Sequence, residues 1–332
     1  MTKTETSRTV TLESLDGLYD VWQRGRYPLQ WDCPFVLPPF LKAWWSAFGE
    51  GLAPHICVAR QGAEAIGMAP LYIQGSVARF IGDTNVCDYQ DFVMSPGRER
   101  DFFPILFEHL RLEGVTELVL GHVRGESRTL SFLAGMEESL DCRVLYEKWG
   151  TSWEIELPST WDGFLNMLTG KERHEIRRKL RRLHEAGNIT YRKVEEKGAV
   201  TEALETFLAL FSSNRPDKAS FMDHQMSHFF RSLARAMAEV KILNLFFLEL
   251  DATPVAAVMC FNHNAATYLY NNGYDQCYAP LSVGLLSKVL SIRQSIRSGK
   301  KRYDFLKGNE DYKRRLGAES IPLYECRVKL KR

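Results

Sequence analysis

The stretch "LSVGLLSKVLSIRQSIRSGKKRYDFLKG", residues 281–308, decides the fold that we expect for this chain. It starts as a loop of small residues, continues as a helix-forming segment that stops near Gly299, and closes with the strand formers Tyr303, Phe305 and Leu306. A small-residue loop that leads into a helix leaves backbone N–H groups at the positive end of the helix dipole, which favours bound anions. The stretch therefore predicts a loop, a helix and a strand around an anion site.

The first half of the chain repeats this order in "SPGRERDFFPILFEHLRLEGVTELVLG", residues 95–121. Three glycine pairs keep the two copies in register at a separation of about 186 residues. They are Gly97 and Gly284, Gly114 and Gly299, and Gly121 and Gly308. Upstream, each half carries two strand segments joined by a turn, at residues 55–73 and 245–261. The pattern predicts two similar units in one chain.

The beginnings of the halves also match, since residues 9–22 and 152–168 both have an alternating strand pattern followed by a capped helix. We therefore expect an N-terminal domain at 1–150 and a C-terminal domain at 151–332. Each should be a mixed α/β unit whose sheet is largely antiparallel and flanked by helices. The chain has neither GxGxxG nor GxxxxGK[ST], so Rossmann and P-loop phosphate sites are not expected.

Composition limits the class of protein. The 332 residues carry a net charge of +2, which does not indicate nucleic-acid binding from bulk charge. The seven cysteines are scattered without a CxxC pair, and the polar N-terminus lacks the apolar segment of a signal peptide. We expect reduced thiols and a cytoplasmic protein.

Six motifs carry a resemblance to a known family. They are "PFVLPPFLKAWWSAFG" (34–49), "IGMAPLY" (66–72), "DYQDFV" (88–93), "YLYNNGYD" (268–275), "LSVGLL" (281–286) and "YDFLKGNEDYKRRLGA" (303–318). In this order they resemble the GNAT acyltransferase fold, and more closely the two-unit CelD/BcsL-type acyltransferases, which are related to FemABX-type transferases. Two positions depart from the family pattern, Val283 in place of proline and Leu316 in place of an aromatic residue.

The resemblance implies transfer of an acyl group from an acyl-CoA or acyl-carrier-protein thioester. The acceptor would be an amine or hydroxyl of a sugar or cell-envelope precursor, as in polysaccharide biosynthesis. The second half lacks the Q/R-x-x-G-x-G/A pyrophosphate loop of ordinary GNAT enzymes, so the sequence gives less support to acetyl-CoA itself as the donor. Two alternatives remain open: a FemX-like transferase that uses aminoacyl-tRNA, and a non-catalytic binding module of the same fold.

The donor site is expected at the loop before the second-half helix, where backbone N–H groups would hold a pyrophosphate or a thioester oxygen. Its residues are Ser282, Val283, Gly284 and Leu285. The alternative is a plain helix cap made by Ser282. Tyr274 and Asp275 follow a strand that the family splays open, and they are candidates to line the site; the alternative for them is core packing and a turn.

The charged cluster after the last strand supplies the candidate catalytic groups. By the resemblance, Tyr312 and Lys313 occupy the place of an aromatic-lysine pair near the reacting centre. A lysine there would stabilise negative charge on the acyl oxygen. Asp304 and Glu310 are candidate proton acceptors. The alternative is structural: Asp304 ends a strand, and Glu310 and Lys313 form a surface ion pair.

The resemblance implies an acceptor site in the first half, for which Asp88, Tyr89 and Asp91 are the candidate residues. The two carboxylates are three residues apart, so they would face opposite sides of a strand unless a turn intervenes. Polar residues that support a turn are the alternative.

The segment 171–187 is a strongly basic helix with a narrow apolar stripe. It is either a solvated helix face or the docking surface of an anionic partner, such as a carrier protein, a membrane surface or tRNA, with Arg177 as the leading residue. Arg215, in an irregular segment with a proline, could contact a phosphate. His224 and His228 have the spacing of zinc ligands but no third ligand in sequence, so we expect no metal there and interpret Asp223 as a helix cap.

Overall fold

The computed structural model describes residues 7–25, 28–83, 85–194, 196–214 and 221–331. Its helices are α1 (Leu15–Arg24), α2 (Pro38–Phe48), α3 (Glu99–Leu112), α4 (Arg128–Gly135), α5 (Trp161–Met167), α6 (Gly170–Glu185), α7 (Lys197–Asn214), α8 (His224–Glu239), α9 (Val283–Arg297) and α10 (Asp311–Arg315). Its strands are β1 (Arg8–Glu13), β2 (Pro54–Gln61), β3 (Glu64–Gln74), β4 (Val77–Phe80), β5 (Val93–Met94), β6 (Glu117–Arg124), β7 (Cys142–Glu156), β8 (Ile189–Val194), β9 (Leu243–Leu250), β10 (Thr253–His263), β11 (Ala266–Tyr274), β12 (Arg302–Lys307) and β13 (Glu319–Leu330).

The chain divides into two units between Gly150 and Thr151. Unit 1 contains residues 1–150 together with Ile321–Arg332, and unit 2 contains Thr151–Ser320. The last residues of the chain were expected in the second domain, but they lie in unit 1 because β13 pairs antiparallel with β6. A strand can pair with any free sheet edge that it reaches, so its position in the sequence does not determine which strand becomes its partner.

The sheets of the two units have the same strand order. In unit 1 it is β1-β2-β3-β4-β6-β13, and in unit 2 it is β8-β9-β10-β11-β12-β7. Neighbouring strands are antiparallel except for the parallel pairs β4–β6 and β11–β12. The expectation of a mixed, largely antiparallel sheet flanked by helices in each unit is confirmed.

The correspondence at the start of the two copies was wrong. The sequence aligned β1 with the end of β7, but β1 pairs with β2 as β8 pairs with β9. The end of β7 instead pairs with β12, the position that β13 holds beside β6 in unit 1. A short alternating pattern does not specify which strand edge it will join, so the local match was not sufficient.

The core of each unit lies between its sheet and its helices. In unit 1, α3 packs Phe102, Phe103 and Leu106 onto strands that include Ile66 and Leu118. In unit 2, β10 is buried along nearly its whole length, as its continuous apolar sequence requires. Among the described residues, no helix combines the length and the apolar character needed to cross a bilayer.

Candidate functional site

The centre of unit 2 is an opening between the parallel strands β11 and β12. Their pairing covers only Ala266–Tyr268 against Arg302–Asp304, although β11 continues beside β10 as far as Tyr274. The two strands therefore separate beyond Tyr268 and Asp304. Unit 1 has the same feature, because β4 and β6 pair only as far as Arg79 and Val119.

A β-bulge bends β11 where it leaves β12. Leu269 pairs with Cys260 and Asn271 with Met259, so Tyr270 is an extra residue opposite β10. A bulge increases local twist and turns a strand away from its neighbour. The strand splay expected at "YLYNNGYD" is therefore present, and it has an identifiable cause.

β12 carries a second bulge at the same level. Its pairing with β7 shifts between Asp304 and Leu306, and Leu306 has a positive φ of 63°. The Oδ1 atom of Asp304 accepts a hydrogen bond of 2.8 Å from the backbone N–H of Leu306. Asp304 is completely buried, which suits holding this bulge better than the proton transfer that its position in the sequence suggested.

Lys313 is 2% exposed, and its ammonium lies at the end of β12. It donates to the backbone carbonyls of Leu306 at 3.2 Å, Lys307 at 2.6 Å and Gly308 at 3.4 Å. The Glu310 carboxylate lies 3.0 Å away. An ammonium has three N–H donors, so these acceptors can use all of its capacity. The predicted surface pair is thus half buried, with the lysine inside and the glutamate outside.

Glu310 and Tyr312 differ in their electrostatics. Burial raises the pKa of Glu310, but the charge and the hydrogen bond of Lys313 outweigh it, so this pKa lies below its usual range. Burial is the main cause that raises the pKa of Tyr312 well above its ordinary value, and the negative charge of Glu310 raises this pKa further. At neutral pH, Glu310 is therefore an anion and Tyr312 a neutral phenol that can donate a proton.

Lys288 was not identified from the sequence. It lies on α9, is 6% exposed, and donates to the Gly284 carbonyl at 2.6 Å. Its ammonium also lies 4.9 Å from the centre of the Tyr312 ring. Lys288 shares a face of α9 with Ser287 and Ser291, which are buried. This position among small residues is the sequence feature that could have indicated a buried lysine. The structure thus joins the donor loop to the cluster at Tyr312 through one buried cation.

The expected donor loop lies at the start of α9. Ser282 adopts a left-handed φ of 59°, and its side chain makes no cap to the helix, contrary to the plain-cap alternative. Gly284 packs so closely on Tyr274 that a Cβ atom would come within 2.6 Å of the ring. Asp275 accepts from the backbone N–H of Cys277 at 2.9 Å, so its side chain shapes the preceding turn.

The basic segment forms α6, and one of its lysines reaches the donor loop. Lys179 donates from Nζ to Ser282 Oγ at 2.8 Å. Arg178 is bonded to Glu175 through both Nε and Nη2 at 2.9 Å. Arg177 is exposed and has no ion-pair partner among the residues that the structure describes. Lys179 also pairs with Glu175 at 3.4 Å, so the positive charge that α6 brings to the N-terminal end of α9 is partly balanced.

A cavity of about 450 Å³ opens between the start of α6 and α10. Its charged lining groups have both signs, Lys171, Arg314 and Arg315 against Glu172 and Asp311. Arg315 is bonded to Glu172 and Arg314 to Asp311. The cavity is close to charge balance, so it does not select a ligand of one charge.

In unit 1, a cavity of about 260 Å³ lies where β4 and β6 separate. Its lining includes Tyr72, Arg79, Gln90, His122, Trp149 and Glu325. The predicted acceptor residues border this region without lining the cavity. The segment around them is irregular and not a strand. The alternation of a strand, which would turn the two carboxylates to opposite sides, therefore does not apply.

Asp88 and Tyr89 are buried in unit 1, and Asp91 is partly buried. Asp91 accepts from the hydroxyls of Ser127 and Thr129 at the start of α4, and burial raises its pKa above the usual range in spite of these bonds. Tyr89 packs under the Arg124 guanidinium at 5.0 Å, and Asp88 is 7% exposed. Asp91 and Tyr89 therefore support the cavity walls, a role closer to the fold-supporting alternative.

Two further expectations concern α8 and the segment before it. Asp223 caps α8 by accepting from the Met226 N–H at 2.7 Å, which confirms the interpretation of this residue as a cap. Arg215 lies outside the described residues.

Comparison with known proteins agrees with this architecture. Residues 170–314 match the family model of the Acetyltransferase (GNAT) domain, which covers α6 to α10 of unit 2. No curated protein matches the chain significantly. The family resemblance found in the sequence thus has independent support at the level of the GNAT domain, while the CelD/BcsL type stays a prediction.

Solved structures show the fold over the whole chain. A structure described as FemX superposes with a TM-score of 0.67 at 10% identity, covering 95% of this chain and 96% of that one. L-PGS from Bacillus licheniformis gives 0.54 at 10% identity, with coverages of 88% and 90%. A tandem GNAT protein from the clavulanic acid biosynthesis pathway gives 0.51 at 11% identity, with 96% and 98%. The chain therefore shares its fold with FemX and with a tandem GNAT protein.

Proposed function

We propose that the protein is an acyltransferase in which unit 2 binds an activated thioester and transfers its acyl group to an amine or hydroxyl. One observation carries this proposal. Strands β11 and β12 separate after three residue pairs, with a bulge on each side of the opening. Such an opening gives an extended thioester arm access to backbone N–H groups of β11, which can stabilise the oxyanion formed during acyl transfer.

The start of α9 is the proposed place for the phosphate groups of the donor. The helix N-terminus favours anions, and the Lys179 ammonium lies beside Ser282. This chemistry fits both donors expected from the resemblance, acyl-CoA and the phosphopantetheine arm of an acyl-carrier protein. It does not require a pyrophosphate loop of the ordinary GNAT type.

The proposed reaction is direct transfer. The acceptor nitrogen or oxygen attacks the thioester carbonyl carbon, the new bond forms, and the carbon–sulfur bond breaks. The acceptor loses its proton to water or to the exposed Glu310, and the sulfur leaves as a thiolate. Tyr312, which its surroundings keep protonated, donates a hydrogen bond to the leaving sulfur. The buried Lys288 beside the Tyr312 ring supplies positive charge during the step.

The cavity of unit 1 is the proposed site for an acceptor with a polar ring, such as a sugar of an envelope precursor. It combines the aromatic side chains Tyr72 and Trp149 with the polar groups of Arg79, Gln90 and Glu325. Aromatic walls with a few convergent polar groups are typical of small-molecule sites.

We expect donor binding to raise the melting temperature of the full-length protein. CoA, an acyl-CoA series and acyl-carrier protein are tested separately, and acceptors are then identified by mass spectrometry of the products. A donor present at 100 times its Kd stabilises the folded state by about 2.7 kcal/mol. Gly284→Val should reduce the shift, because the added side chain collides with Tyr274 at the donor loop.

Exposed Cys277 provides the matched control, since Cys277→Ser should keep the full thermal shift. A protein that melts at the same temperature with and without every donor would contradict the proposal. That result would favour the non-catalytic binding module of the same fold.

A second candidate is transfer of an aminoacyl group from charged tRNA, which the exposed basic face of α6 and the fold shared with FemX favour. In that case, wild-type protein should retain tRNA at low salt in a filter-binding assay. The double variant Arg177→Glu/Arg178→Glu should weaken retention at least about tenfold, because phosphate contacts dominate such affinities. Lys197→Glu reverses an exposed charge on α7 and is the control. Absence of tRNA retention by the wild type would eliminate this candidate.

A further inference from the structure

Three side chains with metal-binding chemistry meet in unit 1, and none of them lines the cavity described above. His55 and Cys57 lie two residues apart on β2, so they face the same side of the strand. His109 reaches them from the last turn of α3. The donor atoms of all three lie within 4.8 Å of one another, and the Nε2 atoms of the two histidines are 3.0 Å apart.

The spacing of these atoms is close to that of a zinc site. Zinc binds imidazole nitrogen at about 2.0–2.1 Å and thiolate sulfur at about 2.3 Å, which places neighbouring ligand atoms of a tetrahedron roughly 3.3–3.6 Å apart. The two imidazoles need to separate by only a few tenths of an ångström, and the Cys57 thiol needs to move inward.

The surroundings favour a cation. The C-terminal turn of α3 directs its negative dipole end toward the cluster. Glu113 follows His109 by one helical turn, and its negative charge acts on both His55 and Cys57. Cys57 is completely buried and His55 is 9% exposed, while His109 is only partly buried. Glu113 is exposed and does not belong to the three ligand residues that meet, so its carboxylate contributes negative charge near the group.

We propose that His55, Cys57 and His109 form a Zn²⁺ site in unit 1, with a water molecule as the fourth ligand. On binding, Zn²⁺ replaces the proton of the Cys57 thiol, which is released to solvent. The ion is structural: it ties the end of α3 to β2, and two of its three protein ligands are buried. It revises the expectation of a metal-free protein, which rested on the spacing of His224 and His228. His55 and His109 are 54 residues apart in the sequence, so no local motif indicated that they share a site.

Titration of the chelator-treated full-length protein with Co²⁺ tests the site. We expect one equivalent to bind with a thiolate-to-metal charge-transfer band in the near ultraviolet and the visible bands of a tetrahedral ion. One equivalent of Zn²⁺ should remove both. Cys57→Ser should eliminate the charge-transfer band, and His109→Gln should weaken Co²⁺ binding by at least about tenfold.

Two matched controls exclude adventitious binding. Cys277→Ser removes the exposed cysteine and His174→Gln an exposed histidine on α6, and both variants should keep the wild-type spectrum. Circular dichroism in chelator shows whether each variant is folded. If Cys57→Ser is not folded, the wild-type and Cys277→Ser titrations decide. The proposal is overturned if the wild type shows no charge-transfer band. It is also overturned if the band is lost in Cys277→Ser or persists in folded Cys57→Ser. In each of these cases, the two imidazoles share a hydrogen bond and bind no metal.

Discussion

Lys313→Met is expected to lower the free energy of unfolding by about 3 kcal/mol, measured by urea denaturation. The substitution removes an ammonium that lies within hydrogen-bond distance of three backbone carbonyls and the Glu310 carboxylate. Methionine fills the space of the aliphatic stem but donates no hydrogen bonds. The carbonyls at the end of β12 then stay buried without this donor.

Neighbouring residues supply the controls for Lys313. Arg314→Met changes the next residue of α10. Arg314 forms an ion pair with Asp311 in which both side chains are exposed, so the substitution should lower the free energy of unfolding by less than about 1 kcal/mol. Glu310→Gln should have a similarly small effect, since the carboxylate is 56% exposed. A Lys313→Met variant with wild-type stability would show that the ammonium does not hold the strand end. If that variant also transferred acyl groups normally, Lys313 would have no part in the mechanism.

Lys288→Met is expected to reduce kcat/KM for acyl transfer by about 100-fold, with the donor identified by thermal shift. The ammonium is buried between the Gly284 carbonyl and the Tyr312 ring, where a positive charge acts through a low local dielectric. Its loss should raise the barrier more than it weakens binding, because negative charge develops on the thioester oxygen and sulfur during the reaction. Stability should change by less than about 2 kcal/mol, since methionine adapts to the vacated volume.

The control is Arg297→Met, which removes an exposed charge from the last turn of the same helix and should leave kcat/KM within about twofold. Lys288→Arg retains the charge but cannot reproduce the compact ammonium, so it should recover part of the rate. A Lys288→Met variant that is folded and fully active would remove this residue from the proposed mechanism.

Much of the fold could be predicted because it depends on local features. Glycines at fixed separations and short apolar runs predicted α3, α9, β6 and β12 in the right order. Each of these elements is defined by the periodicity of its own residues. The candidate donor loop was found for the same reason, since a small-residue loop and the helix after it are adjacent in sequence.

The site itself was predicted less well. Asp304 and Lys313 were recognised as charged residues in the right segment, but the sequence could not tell that both side chains turn inward to the end of β12. Lys288 was missed because a lysine on a helix is usually a solvated residue. Orientation of a side chain depends on what packs around it, which is a property of the assembled unit.

The sequence by itself determined the duplicated α/β pattern, the position of the small-residue loop before α9 and the basic character of α6, because periodicity, glycine positions and charge are read directly along the chain. Only the tertiary structure decided that the strand of the last residues joins unit 1, that Lys179 reaches Ser282, and that His55, Cys57 and His109 meet. The physical reason is that strand edges and buried polar groups are satisfied by whichever partner the folded chain brings near, and these partners are distant in sequence.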